Sequence, residues 1–277
     1  MTGRRIGVCS WSLRPHGPEE LAKAVRACGV GGVQLALDPL RRREWPLDAC
    51  VEALERARVA ALSGMMATRG EDYSTPASIR RTGGLLPDEH WSANLAAARE
   101  NAWIARRLGI GLVSLHAGFL PEKKGAPERR TMLERLRAVV DAFAAEGVRT
   151  ALETGQERAE TLLEVLADLD RPEAGVNFDP ANMLLYDMGD PVEALSTLAP
   201  HVLQVHVKDA RRPRAPGEWG EEVPVGAGEV NWHRFFDVIA GRGIECDLVI
   251  ERESGEERTA DVARARELVL AQLGRIA

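Results

Sequence analysis

The sequence predicts an α/β protein, a (β/α)8 TIM barrel in one domain over residues 1–277. Three observations predict it. Eight short β-branched or aliphatic runs alternate with helical patterns from one end of the chain to the other. The length, 277 residues, is close to the ~250 typical of a closed α/β barrel. Connections that lead from helix to strand are mostly tight, whereas three that leave strands are long and rich in Gly, Pro and charge.

The strands are expected to begin near Arg5 (Ile-Gly-Val-Cys), Gly32 (Val-Gln-Leu-Ala-Leu), Val59 (Ala-Ala-Leu-Ser) and Gly111 (Leu-Val-Ser-Leu-His). The next four begin near Val148 (Arg-Thr-Ala-Leu-Glu), Ala174 (Gly-Val-Asn-Phe-Asp), Val202 (Leu-Gln-Val-His-Val) and Cys246 (Asp-Leu-Val-Ile-Glu). Between them, Leu21, Val25 and Cys28 share one face of a helix opened by Pro18. Leu133, Leu136, Val140 and Phe143 do so in a helix after Pro127. A last helix over 259–276 carries Val262, Leu268, Leu270 and Leu273. Gly29, Gly109, Gly147 and Gly243 follow helical patterns and hand the chain to the next strand. The long loops are 65–90, 118–127 and 209–230, which places His90 in a loop. All three leave the C-terminal ends of strands, the face on which barrels carry function.

An open doubly wound sheet would want a glycine-rich phosphate loop early. The first strand exits instead into Ser10-Trp-Ser-Leu-Arg-Pro15, with no G-x-G-x-x-G. A net charge of −6 argues against a general nucleic-acid or anionic-membrane binder. No stretch approaches the ~20 apolar residues that span a bilayer. The four cysteines are scattered and form no C-x-x-C pair, so a cytoplasmic, reducing setting is expected.

Four strands end in a group able to bind a metal ion: Glu153 on the fifth, Asp179 on the sixth, His206 on the seventh and Glu251 on the eighth. Taken singly, the glutamates could pair with Arg149 or Arg252, Asp179 could cap a helix, and His206 could be a satisfied core histidine. Taken together they converge at one barrel mouth, where three carboxylates repel one another unless a divalent cation neutralises them. Three oxygen donors and one imidazole suit one divalent ion, Mn2+ or Mg2+ before Co2+ or Zn2+.

Asn-Phe-Asp-Pro-Ala-Asn-Met and His-Val-Lys-Asp, with the order of strand-end residues, resemble the xylose isomerase-like TIM-barrel superfamily. Within it the chain resembles the sugar phosphate isomerase/epimerase family, relatives of D-tagatose 3-epimerase, hydroxypyruvate isomerase and inosose dehydratase. The similarity runs from Cys9-Ser-Trp-Ser to Glu251. It implies that Glu153, Asp179, His206 and Glu251 hold the metal, and that Glu153 and Glu251 exchange a proton with the carbon beside a carbonyl, through a metal-stabilised enediolate. It implies substrate contacts for His116 and for Asn182, which stands where many members have a histidine. Lys208, on the same side as His206 by strand alternation, and Arg211 are further candidates, while Asp209 fits a bond to a neighbouring imidazole or arginine. Trp11 and Phe119 are candidates to wall the sugar's apolar face, or plain packing residues.

The reading is an isomerase or epimerase of a small sugar, keto-sugar or keto-acid, with a small-molecule carbohydrate as its partner and neither nucleic acid nor membrane. An unphosphorylated substrate is favoured, although Arg69, Arg80, Arg81 and Lys123 could meet a phosphate. A homo-oligomer is compatible with the resemblance. The alternatives are a lyase acting on a keto-cyclitol or 3-keto-glycoside, a non-catalytic sugar-binding barrel, and an apurinic-site endonuclease. The last would need three zincs, for which six histidines, three of them outside strand ends, are too few.

Overall fold

The computed structural model describes residues 4–276; Met1, Thr2, Gly3 and Ala277, the ends of the expected domain, lie outside the described residues. The eight expected runs are strands β1 (Ile6–Cys9), β2 (Gly32–Ala36), β3 (Ala60–Met65), β4 (Leu112–Leu115), β5 (Arg149–Glu153), β6 (Ala174–Phe178), β7 (Val202–Val207) and β10 (Asp247–Ile250). They close into a parallel barrel in the order β1-β10-β7-β6-β5-β4-β3-β2. Closure is direct, with Ile6, Gly7 and Val8 of β1 in register with Leu248, Val249 and Ile250 of β10.

The helices are α1 (Pro18–Ala27), α2 (Asp38–Arg41), α3 (Leu47–Ala57), α4 (Pro76–Thr82), α5 (Asp88–Arg107) and α6 (Pro127–Ala144). They continue as α7 (Ala159–Leu169), α8 (Pro180–Leu185), α9 (Pro191–Leu198), α10 (Trp232–Gly241) and α11 (Arg258–Ile276). Pro18 and Pro127 open α1 and α6, where a missing N–H costs nothing. Gly29, Gly109, Gly147 and Gly243 all adopt positive φ at the hand-over to a strand, as their positions require. The apolar layer between strands and helices is one continuous core, to which Leu21, Val25, Leu136, Val140 and Phe143 belong.

Three expectations need correction. His90 lies inside α5, not in a loop, because helix α5 starts right after Pro87. On α11 the buried stripe runs through Val262, Ala265 and Val269, and Leu270 is 40% exposed. Segment 209–230 is not all loop: β8 (Asp209–Arg211) and β9 (Glu221–Val223) pair antiparallel within it.

Inside the barrel the filling is unequal. At the N-terminal end, Leu62 sits over Gly7 and Gly32, where a Cβ on either glycine would strike it. Leu62 reaches that position because the β2–β3 register slips there, pairing Val33 with Ala61 but Gln34 with Ser63. Above it the interior turns polar, with Gln34, Ser63, Ser114, Asn177 and Gln204 all buried. That polar layer is the floor of the C-terminal mouth. All four cysteines are free. No described helix is long and apolar enough to cross a membrane.

Candidate metal and carbohydrate site

Glu153 is the last residue of β5, Asp179 and Glu251 directly follow β6 and β10, and His206 is the penultimate residue of β7. Barrel closure makes these four strands consecutive neighbours, so their ends face one space. One donor atom from each lies within 4.8 Å of all the others, and all four residues are buried. His206 Nδ1 stands 3.5 Å from Glu153 Oε1, 3.5 Å from Asp179 Oδ2 and 3.4 Å from Glu251 Oε2. These are close to the separations of roughly 3.0–3.5 Å expected between donors that share one ion at about 2.1 Å.

The hydrogen bonds show which atoms are left for an ion. Asp179 does cap a helix, as its singular reading allowed: Oδ1 accepts from the backbone N–H groups of Ala181 and Asn182. Among the described residues its Oδ2 accepts no hydrogen bond, and neither His206 Nδ1 nor Glu251 Oε2 has a hydrogen-bond partner. Three buried atoms without a hydrogen-bond partner converge from three strands, and only Glu251 Oε2 has a cation of the chain nearby, the Lys208 ammonium at 2.9 Å. An unsatisfied buried polar atom costs about 1–3 kcal/mol, more if charged, so such a set fits a cation and not a packed core. The opposite ring nitrogen, His206 Nε2, lies 2.7 Å from Gln34 Oε1. Donation there fixes the tautomer that turns the Nδ1 lone pair toward the carboxylates.

The acids are charged to different degrees. Burial works against ionisation of Glu251, but Lys208 and His206 outweigh it and hold the carboxyl well below its usual range. Burial also opposes ionisation of Glu153, and the nearby His116 and His206 bring it lower all the same. For Asp179 burial wins over Lys208, and its pKa rises to about 6. Glu153 takes hydrogen bonds from Asn177 Nδ2 at 3.1 Å and from Asn182 Nδ2 at 3.0 Å. The Glu251 Oε1 atom accepts one from Trp11 Nε1 at 2.6 Å.

Most of the other residues expected at the site are found here. His116 Nε2 is 3.5 Å from Glu153 Oε1. Lys208 points to the His206 side: its Nζ is 2.9 Å from Glu251 Oε2, out of hydrogen-bond alignment, and donates to Glu253 at 2.6 Å. Trp11, His116, Asn182, Lys208 and Glu251 all line one cavity of about 710 Å³ at the C-terminal mouth. A second cavity, about 510 Å³, opens at the opposite end beside Arg4, Arg149 and Cys246, away from these donors.

Arg211 is not brought into this group. Its side chain is 51% exposed and faces Glu221 on the neighbouring strand β9. Asp209 is not bonded to an imidazole or an arginine. It accepts from the N–H groups of Ala210, Gly226, Gly228 and Val230 and from Trp232 Nε1. Phe119 stands behind the cavity wall, edge-on to Tyr186 at 5.7 Å and under the Arg80 guanidinium. None of Arg69, Arg80, Arg81 and Lys123 lines the cavity among the described residues. Arg149 and Arg252 do not neutralise the glutamates: Arg252 pairs with Glu222 and Asp261, and Arg149 borders the opposite cavity.

The floor of polar side chains was missed from the sequence. Ser63 donates to Gln204, Gln204 to Asn177, and Asn177 to Glu153. Gln34 joins Ser114 to His206 across the barrel. The signal was available: Asn177 and Gln204 precede Asp179 and His206 by two residues, which puts them one layer down on the same face of their strands.

A family model for the xylose isomerase-like TIM barrel matches residues 22–272. A xylose isomerase domain protein from Planctomyces limnophilus is 32% identical, with a TM-score of 0.90 over 99% of this chain and 98% of that one. A xylose isomerase-like TIM barrel protein from Mycobacterium smegmatis, in complex with magnesium, is 18% identical, with a TM-score of 0.76 over 99% and 98%. D-allulose 3-epimerase from Methylomonas sp., in complex with D-allulose, is 13% identical, with a TM-score of 0.74 over 98% of each chain. An 85-residue stretch, 30% of this chain, is 29% identical to the uncharacterized protein YihM of Escherichia coli (strain K12) and spans only 26% of it. The match over residues 22–272, on a closed eight-stranded barrel, establishes that the chain belongs to the xylose isomerase-like TIM barrel family.

Proposed function

We propose that the protein is a divalent-metal-dependent isomerase or epimerase acting on a small sugar, keto-sugar or related keto-acid. The convergence of Asp179 Oδ2, His206 Nδ1 and Glu251 Oε2, all buried and without a hydrogen-bond partner among the described residues, carries this reading. The likeness of the fold to a D-allulose 3-epimerase agrees with it.

A divalent ion held by Glu153, Asp179, His206 and Glu251, with Mn2+ or Mg2+ matching the oxygen-rich set, would supply Lewis-acid polarisation of the substrate carbonyl and stabilise developing negative charge. The chain's own groups do the rest. Glu153 and Glu251 come from β5 and β10, with β6 and β7 between them, and in this reading each carboxylate serves a different face of the substrate. Both are biased toward the ionised form, as a base requires. One removes the proton from the carbon beside the carbonyl, and the C–H electron pair forms the double bond of an enediolate. Return of a proton to the opposite face of that carbon gives the epimer; return to the neighbouring carbon gives the aldose–ketose isomer. Asn182 and Asn177 orient Glu153, while Trp11 orients Glu251. His116 and Lys208 border the same cavity and offer donors to substrate hydroxyls.

The test is incubation with ketoses and keto-cyclitols in D₂O with Mn2+, followed by mass spectrometry of the recovered sugar. Deuterium is expected at the carbon beside the carbonyl, and Glu153→Gln or Glu251→Gln should slow its entry by about 10²-fold or more. Absence of exchange across the panel would overturn the reading. Loss of water from a keto-cyclitol, without exchange into any ketose, would replace it with a lyase.

A further inference from the structure

We propose that the N-terminal end of the barrel, opposite the metal donors, holds a second ligand site, for an organic anion with an apolar body. The cavity there measures about 510 Å³, within the roughly 300–1,000 Å³ of pockets that enclose small molecules. The site is independent of the proton-transfer chemistry, since none of the four candidate metal donors lines it.

The floor of this cavity is apolar, lined by Ala61, Leu62, Leu112 and Leu203. Two of the leucines owe their place to missing side chains on neighbouring strands. A Cβ on Gly7 or Gly32 would strike Leu62, and one on Gly175 would strike Leu203. Gly111, at the edge of the same cavity, is different: a Cβ there meets nothing within 4 Å, so the space beside it is open. Apolar side chains at the base of an open cavity ringed by charge leave surface that the body of an apolar ligand removes from water.

The rim supplies the charge. Three guanidiniums, of Arg4, Arg5 and Arg149, share it with two carboxylates, of Glu245 and Asp247. Arg5 and Asp247 neutralise each other through bonds of 3.0 and 2.5 Å. Arg4 gives Nε and Nη2 to the Ile244 carbonyl at 3.1 and 2.6 Å, which leaves its charge without a carboxylate. Arg149 is exposed at the first position of β5, and its side chain has no hydrogen-bond or ion-pair partner among the described residues. Glu245 is exposed and pairs with neither of these two arginines. Cys246 adds no charge, because burial pushes its thiol up to about 12. In the closed barrel β1 and β5 are four strands apart in either direction, so Arg4, just before β1, and Arg149 stand on opposite rims. An anion seated over the leucines lies between two guanidiniums, whose planar donors suit carboxylate and phosphate oxygens alike.

The test is an NMR titration of backbone amide shifts, in the presence of Mg2+, with phenylacetate, phenyl phosphate, inorganic phosphate and benzyl alcohol. At least one of the two organic anions is expected to shift the amides of Gly111, Leu112, Arg149 and Leu203. It should bind about tenfold or more tightly than inorganic phosphate, which lacks the apolar body, and than benzyl alcohol, which lacks the charge. The tighter of the two identifies the head group as carboxylate or phosphate ester. Arg149→Met should weaken that ligand by about five- to tenfold. Gly111→Phe, which fills the open space at a position with no positive φ, should abolish its binding. If Gly111→Phe does not fold, the exposed Arg149 carries the test alone. The proposal is overturned if neither organic anion binds more tightly than both inorganic phosphate and benzyl alcohol. It is equally overturned if the shifts fall at the other mouth, around Glu153 and Glu251, or if Arg149→Met leaves the affinity unchanged.

Discussion

Glu157, in the loop after β5, is a buried carboxyl that the site does not use, and burial alone raises its pKa to about 8. The consequence for stability has a definite sign. In the unfolded chain the group ionises near its ordinary value of 4.5, so below that pH neither state pays for it. As pH rises from about 4.5 toward 8 the unfolded state is increasingly favoured, by roughly 3 kcal/mol at pH 7. Glu157→Gln removes this slope. The variant is expected to be more stable than the parent at pH 7 and to match it near pH 4.5, as measured by urea unfolding across that range. Equal stability at pH 7 would mean that Glu157 is solvated or paired. At this scale the four candidate metal donors were legible as strand-end residues and Lys208 through strand alternation. His116 and Asn182 were named through the family resemblance, and Trp11 only as one of two candidate wall residues. The place of Arg211 was not legible: it lies beyond the barrel strand, in a hairpin whose register sets it opposite Glu221.

Among the elements, the β8–β9 hairpin does most to shape the mouth, since it brings Trp219, Gly220 and Glu222 to the cavity. Asp209 is its anchor. One carboxylate gathers four backbone N–H groups and the Trp232 indole, tying residues 226–230 back to the end of the barrel wall. Asp209→Asn, which retains one acceptor oxygen and adds an NH₂ facing other donors, is expected to cost about 2–4 kcal/mol, given about 1.5–3 kcal/mol for a hydrogen bond to a charged group. The loss should be local, so that hydrogen exchange accelerates at Gly226, Gly228 and Val230 while the β5 and β6 amides keep their protection. A uniform loss of protection would show instead that Asp209 supports the whole barrel. The hairpin was illegible as strands because its two pairs are three residues each and carry mostly charged side chains. On α11, four leucine and valine positions suggested a wider buried stripe than the barrel can cover, and Leu270 falls outside it.

Across the whole molecule, the donors of the candidate site come from four adjacent strands, β5, β6, β7 and β10, which make up half of the barrel circumference. An ion shared among them would fasten that half together and bind the folded chain only. Mn2+ at about 100 times its dissociation constant is therefore expected to stabilise the protein by ~2.7 kcal/mol and to raise Tm by roughly 5 °C or more. A chelator should reverse the shift, and Asp179→Asn should abolish most of it. An unchanged Tm in the parent protein at saturating Mn2+, Mg2+, Co2+ and Zn2+ would argue against any resident ion. The formal charge of −6 has to be read in the same light. Three of its carboxylates stand together in the barrel mouth, beside Lys208 and two histidines, and so contribute little to the outer field.

By itself the sequence determined the barrel, its strand order along the chain, the functional face and the four candidate metal donors. All of these follow from local rules: period-two alternation, apolar runs bounded by glycine, and polar residues placed where strands end. Only the tertiary structure decided which oxygen of Asp179 caps a helix and which stays bare. It alone showed the Ser63–Gln204–Asn177–Glu153 chain beneath the site, and it alone seated Trp219 against Tyr186. Those contacts join residues far apart in the chain, and they exist because the barrel closes. Closure is a property of all eight strands at once, and no window of sequence contains it.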